Sequence, residues 1–110
     1  MKYHLKNLLA AALVATSALT GVAHATDVAT MPNQANGLIV LTDEVGNCMN
    51  GRRMYITSGY GQVLSGGCWT SKDPWVFVQY YGESEVRRYP EDNFRLTVEG
   101  ASIAHKAGVL

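Results

Sequence analysis

The sequence predicts an all-β fold, a small antiparallel barrel or β-roll of about five to six strands braced by one disulfide. Three observations predict it. Short runs of β-branched, aromatic or alternating residues recur from Leu38 to Glu99 at a spacing of roughly 8–12 residues. Turn-forming clusters such as Asn50-Gly51, Ser58-Gly59 and Lys72-Asp73-Pro74 separate those runs. Two cysteines, Cys48 and Cys68, lie within the same stretch, downstream of an export signal.

The export signal occupies residues 1–25. Met1 to Asn7 carries Lys2 and Lys6 and no acid, Leu8 to Leu19 is apolar or small, and Ala23-His24-Ala25 offers small residues to a signal peptidase. Thr16, Ser17 and Thr20 dilute the apolar run below the roughly 20 residues of a membrane span. Cleavage after Ala25 leaves residues 26–110, one domain with no Cys at the cleavage point for a lipid anchor. The expected product is a periplasmic or secreted protein that does not insert in the membrane.

Residues 26–36 are polar, contain Pro32 and show no periodicity, so they read as a flexible N-terminal lead-in. The β-domain spans 37–100. Leu38 to Thr42 is an unbroken apolar strand, which suggests burial on both faces. Arg52 to Thr57 alternates as a second strand. Gln62 to Leu64 starts a third, interrupted at Ser65-Gly66-Gly67 and resumed at Cys68-Trp69-Thr70; such paired glycines mark a bulge or bend. Trp75 to Tyr81 is the strongest strand, aromatic or β-branched at every position but Gln79. It turns at Gly82-Glu83-Ser84 into a strand from Glu85 to Tyr89. A two-residue hairpin loop there puts Val76, Val78 and Tyr80 on one face with Arg87 and Tyr89, and Trp75, Phe77, Gln79 and Tyr81 on the other with Val86 and Arg88. Pro90 to Phe94 suggests a single helical or 3₁₀ turn, and Arg95 to Glu99 alternates as a last strand with Leu96 and Val98 facing in. The tail, 101–110, fits a short helix, a docked extension or a frayed end.

Composition excludes several functions. Loss of Lys2 and Lys6 leaves seven basic residues against nine acidic ones, too balanced for binding nucleic acid or an anionic membrane by electrostatics. His105 is the one histidine beyond residue 25, so a His-based triad or a zinc site lacks partners, and no metal or other cofactor is expected. The carboxylates Asp43, Glu44, Glu83, Glu85, Glu91 and Asp92 fall at strand ends or turns and read as solvated loop charges. No catalytic residues are assigned; the expectation is not an enzyme. The lone cysteines pair with each other, a brace worth about 3 kcal/mol in the chain-entropy model.

The aromatic residues carry the functional reading. Nine of them lie between Tyr55 and Phe94, more than a two-faced sheet of this size can bury. Tyr55, Trp69, Trp75, Tyr80, Tyr81, Arg87, Arg88 and Tyr89 are the candidate binding residues, for a protein, peptide or glycan of the cell envelope. The alternatives are an inhibitor of a secreted or cell-wall-degrading enzyme, inserting a turn such as Ser58 to Gly61, and a structural accessory subunit joined through an edge strand, Leu38–Thr42 or Arg95–Glu99.

Two resemblances add to this. Tyr89-Pro90-Glu91-Asp92-Asn93-Phe94-Arg95-Leu96 resembles the 3₁₀ turn before the last strand of Src-homology-3-type barrels, which implies a barrel and binding of Pro-rich or cell-wall peptides. Ile39 to Asp43, the Cys48 loop, Gly67-Cys68-Trp69, Val76 to Tyr80 and Arg88-Tyr89-Pro90 are similar to small exported proteins of Gram-negative bacteria and their prophages. That second resemblance implies no activity; it implies a Cys48–Cys68 unit with Trp69 packed beside it.

Overall fold

The structure, a computed structural model, describes residues 26–106; the expected export signal lies outside the described residues. Seven strands form one antiparallel sheet curled into a half-barrel, with one short helix and a Cys48–Cys68 disulfide. The strands are β1 (Asp27–Pro32), β2 (Leu38–Thr42), β3 (Arg52–Thr57), β4 (Val63–Lys72), β5 (Trp75–Tyr80), β6 (Arg87–Pro90) and β7 (Arg95–Leu96). A 3₁₀ turn, Glu91–Asn93, precedes β7, and the helix α1 spans Val98–Lys106. The sheet order is β6-β5-β4-β3-β2-β1-β7, a meander whose last strand returns beside the first. β2 is therefore interior, not an edge. The true edges are β6 and β7, four and two residues long, which leaves little unpaired backbone for another chain.

Residues 27–32 are not a lead-in but a strand bonded on both sides, to β2 and β7. Its register shifts between Asp27 and Ala29, and this irregularity buries the neighbours Val28 and Ala29 together. The shift breaks the two-residue period by which a strand is recognised. β2 is buried from Ile39 to Thr42, on both faces as expected.

β4 runs ten residues without the interruption expected at Ser65-Gly66-Gly67. Gly67 is required by closeness: a Cβ there would stand 2.3 Å from the Gln79 carbonyl oxygen of β5. The irregularity lies one residue before Ser65: the single step Ile56 to Thr57 on β3 is matched by two on β4, Ser65 to Val63, which makes Leu64 the extra residue of a bulge. β5 and β6 pair as Val76 with Tyr89 and Val78 with Arg87, so the expected division of faces holds. β6 begins later than expected, at Arg87, because the Tyr81 N–H bonds the Gly66 carbonyl of β4 and residues 81–86 form a loop.

The expected strand Arg95–Glu99 stops at Leu96. Thr97 begins α1 instead: its Oγ1 accepts the Gly100 N–H at 2.9 Å, and its carbonyl accepts the Ala101 N–H. Val98, expected to face in, is 84% exposed. α1 packs Ala104 and Ile103 onto the core, and Gly100 lies against the Val28 backbone, where a Cβ would come within 2.0 Å of the carbonyl oxygen. The core comprises Val28, Ala29, Ile39, Leu41, Met54, Trp69, Val76, Val78, Phe94 and Ala104. Phe94 reaches it from the 3₁₀ turn and meets Tyr89 edge-on, with ring centroids 6.5 Å apart.

Candidate functional site

The eight candidate binding residues do not form one surface. Trp69 is core: it is 1% exposed, and its Nε1 donates to the Thr42 carbonyl at 2.9 Å. Successive residues of a strand face opposite ways, so Trp69 turns inward while Cys68 holds the disulfide on the outer face. Tyr55, Trp75, Tyr81 and Arg88 share that outer face, each already engaged. The Tyr55 hydroxyl donates to the Asp27 carboxylate at 2.9 Å; burial first, and then that carboxylate, push its pKa up to about 12. The Arg88 guanidinium lies over the Trp75 ring at 4.3 Å, and the Tyr81 hydroxyl donates to Asn47 Oδ1 at 3.1 Å.

Tyr80, Arg87 and Tyr89 do come together, on the inner face. They line a cleft of about 690 Å³ at the end of the half-barrel where the β1–β2 turn, the start of β4 and the β5–β6 loop converge. Its aliphatic wall is Met31, Ile39, Ile56 and Leu64; polar side chains line both sides, Asn33, Gln34 and Ser65 on one and Tyr80, Glu83, Arg87 and Tyr89 on the other. There the Tyr80 and Tyr89 hydroxyls bond each other at 3.0 Å, and Arg87 lies 5.5 Å over the Tyr80 ring. Arg87 Nε also meets Glu83 at 3.4 Å in an exposed pair. Burial, then the bond to Tyr89, raise the Tyr80 pKa and keep the phenol protonated.

The opposite wall is held by Asn33. Its Oδ1 accepts the Ala35 and Gly37 N–H groups, while Nδ2 donates to the Thr57 carbonyl at 2.8 Å and tethers the turn to β3. Asn36 takes the left-handed conformation, φ 61°, that this turn needs. Sequence reasoning missed Met31, Ile39, Ile56 and Leu64 as site residues. Ile56 belongs to the alternating run Arg52 to Thr57, but nothing local separates a core position from a cleft wall.

A second feature rises at the same end. Ser58 anchors the β3–β4 turn: its N–H bonds the Gln62 carbonyl at 2.8 Å, its carbonyl accepts the Gly61 N–H, and its Oγ accepts the Tyr60 and Gln62 N–H groups at 3.2 Å. Gly61 supplies the positive φ of 81°. The turn is thus fixed, and it holds Tyr60 97% exposed.

Two groups expected to be solvated are not. Asp43 and Glu91 are buried, and Asp43 accepts the Thr26 N–H at 2.8 Å, which fastens the start of β1. Desolvation raises the Asp43 pKa despite that bond. Arg52 is 5% exposed; Nη1 donates to the Gly51 carbonyl, and neither Nε nor Nη2 has a hydrogen-bond partner. Its neighbour Arg53 does sit outside, 3.4 Å from Glu44. Among the described residues no cluster of three or more His, Cys, Asp or Glu is placed to hold a metal, and no helix is long and apolar enough to cross a membrane. Comparison with known families, curated proteins and solved structures finds no match for this chain.

Proposed function

We propose that this chain is a small binding module of the periplasm or the extracellular space, taking its partner at the loop end of the half-barrel. The observation that supports this best is the cleft between Met31, Ile39, Ile56 and Leu64 on one side and Tyr80, Arg87 and Tyr89 on the other. A concave apolar site with a few convergent polar groups is the usual form of a ligand site. The disulfide agrees with an oxidising compartment, where the expected export signal would deliver the chain. Envelope protein, peptide and glycan are the partner classes, and the reading assigns no catalysis.

Affinity capture from envelope extract tests this, with the disulfide-bonded protein spanning 26–110 compared with Leu64→Asp. Leu64 is 56% exposed, so the charge enters the cleft wall at little cost to folding. Loss of captured material with Leu64→Asp is expected; equal capture by both would place the binding surface elsewhere.

The fixed Ser58–Gln62 turn favours a second reading, inhibition of an envelope or cell-wall-degrading enzyme by insertion of Tyr60. A preorganised turn costs little entropy on binding, and an exposed aromatic tip supplies an anchor. Tyr60→Ala separates the two: it would abolish capture under the inhibitor reading and leave it intact under the cleft reading.

A further inference from the structure

We infer that the loop-end cleft is built for an amphiphile with one anionic head, a free long-chain carboxylate, its chain along Met31, Ile39, Ile56 and Leu64 and its head at Arg87. The inference rests on the reading of this cleft as the binding surface and gives it a lipid ligand in place of an envelope protein, peptide or glycan.

Three features argue for it. The cleft opens on the inner face of a sheet whose strands are already paired in ladders, β1 with β2, β2 with β3, β3 with β4 and β4 with β5. Backbone groups in those ladders point along the sheet, not into the cleft. A peptide laid there would meet no unpaired strand edge, only the side chains of Asn33, Gln34 and Ser65, for its N–H and C=O groups. A hydrocarbon chain brings no such groups.

The polar wall, moreover, offers donors. Arg87 presents guanidinium N–H groups. The Tyr80 and Tyr89 hydroxyls carry two hydrogens, and their mutual bond at 3.0 Å uses one, so the second is left to donate to a ligand. Both match a carboxylate, which only accepts.

Finally, the volume of about 690 Å³ falls within the range of roughly 300–1,000 Å³ typical of small-molecule sites. The acidic group on this wall is Glu83, 3.4 Å from Arg87 in a pair exposed on both sides. Such pairs hold weakly, so a ligand carboxylate can displace Glu83 from the guanidinium.

The test is titration of the disulfide-bonded protein spanning 26–110 with decanoate, decanol and a tri-leucine peptide, followed by nuclear magnetic resonance shifts of Ile39, Ile56, Tyr80 and Tyr89. Decanoate is expected to shift these residues and to bind about tenfold more tightly than decanol, the usual gain from a charge-assisted hydrogen bond. Arg87→Gln is expected to weaken decanoate binding more than decanol binding and so remove that preference, and Glu83→Gln to increase it. Both side chains are about half exposed, so both variants should fold. Equal affinity for decanoate and decanol, or a preference that survives Arg87→Gln, would overturn the inference. Tri-leucine perturbing the cleft where decanoate does not would overturn it and leave the binding-cleft reading standing; no perturbation by any of the three would count against both.

Discussion

At the scale of single residues, the aromatic side chains divide sharply by role. Trp69 fills the core and holds the Thr42 carbonyl, whereas Tyr60 stands almost wholly in solvent. Truncation should therefore separate them. Trp69→Ala is expected to cost about 3–5 kcal/mol by urea unfolding, through the cavity and the orphaned carbonyl. Tyr60→Ala should stay within about 0.5 kcal/mol of the parent. Tyr55 gives the fold an alkaline limit. Its phenol ionises near 10.0 in the unfolded chain and near 12 when folded, so its stabilising effect is complete below pH 10 and is lost as the pH climbs towards 12. Tyr55→Phe, which cannot ionise, should flatten part of that decline in a pH series of denaturant midpoints. The remainder is expected from Tyr80, which shifts in the same direction.

At the scale of elements, the ends of the domain depend on a few polar links. Thr97 bonds the Asp27 carbonyl, caps α1 through Gly100 and receives the chain from β7, so one hydroxyl joins first strand, last strand and helix. Thr97→Ala should lower stability by about 1–2 kcal/mol, at the upper end for a cap, with loss of helical signal in circular dichroism. The Cys48–Cys68 bridge pins the loop between β2 and β3 to the outer face of β4. Cys48→Ser is expected to cost about 2–5 kcal/mol under oxidising conditions, measured against the parent and against the parent in reductant. Elements were legible where their pattern was regular. β2 and β5 announce themselves by β-branched and aromatic content, and the 3₁₀ turn by Pro90. β1 was hidden because its register shift places Val28 and Ala29 together in the core. The stretch from Arg95 to Glu99 alternates like a strand, yet the Thr97 cap ends the strand and opens a helix.

At the scale of the whole molecule, the sheet curls without closing. Strands β1 to β5, Phe94 and the helix build the core, and the β1–β2 turn and the β5–β6 loop both border the cleft. That geometry makes the Leu64→Asp comparison informative, since this residue lies on the wall of the cleft but outside the core. By itself the sequence determined the all-β class, the disulfide and the faces of the Trp75–Tyr89 hairpin, because composition, cysteine count and two-residue alternation are local properties. Of the candidate binding residues it correctly grouped Tyr80, Arg87 and Tyr89 on one face. Only the tertiary structure decided that Trp69 belongs to the core, that β1 completes the sheet between β2 and β7, and that Met31, Ile39, Ile56 and Leu64 face those three residues across a cleft. The physical reason is sequence distance. The lining of the cleft is drawn from six strands in turn, and only the curl of the sheet brings Met31 of β1 and Tyr89 of β6 to the same cleft.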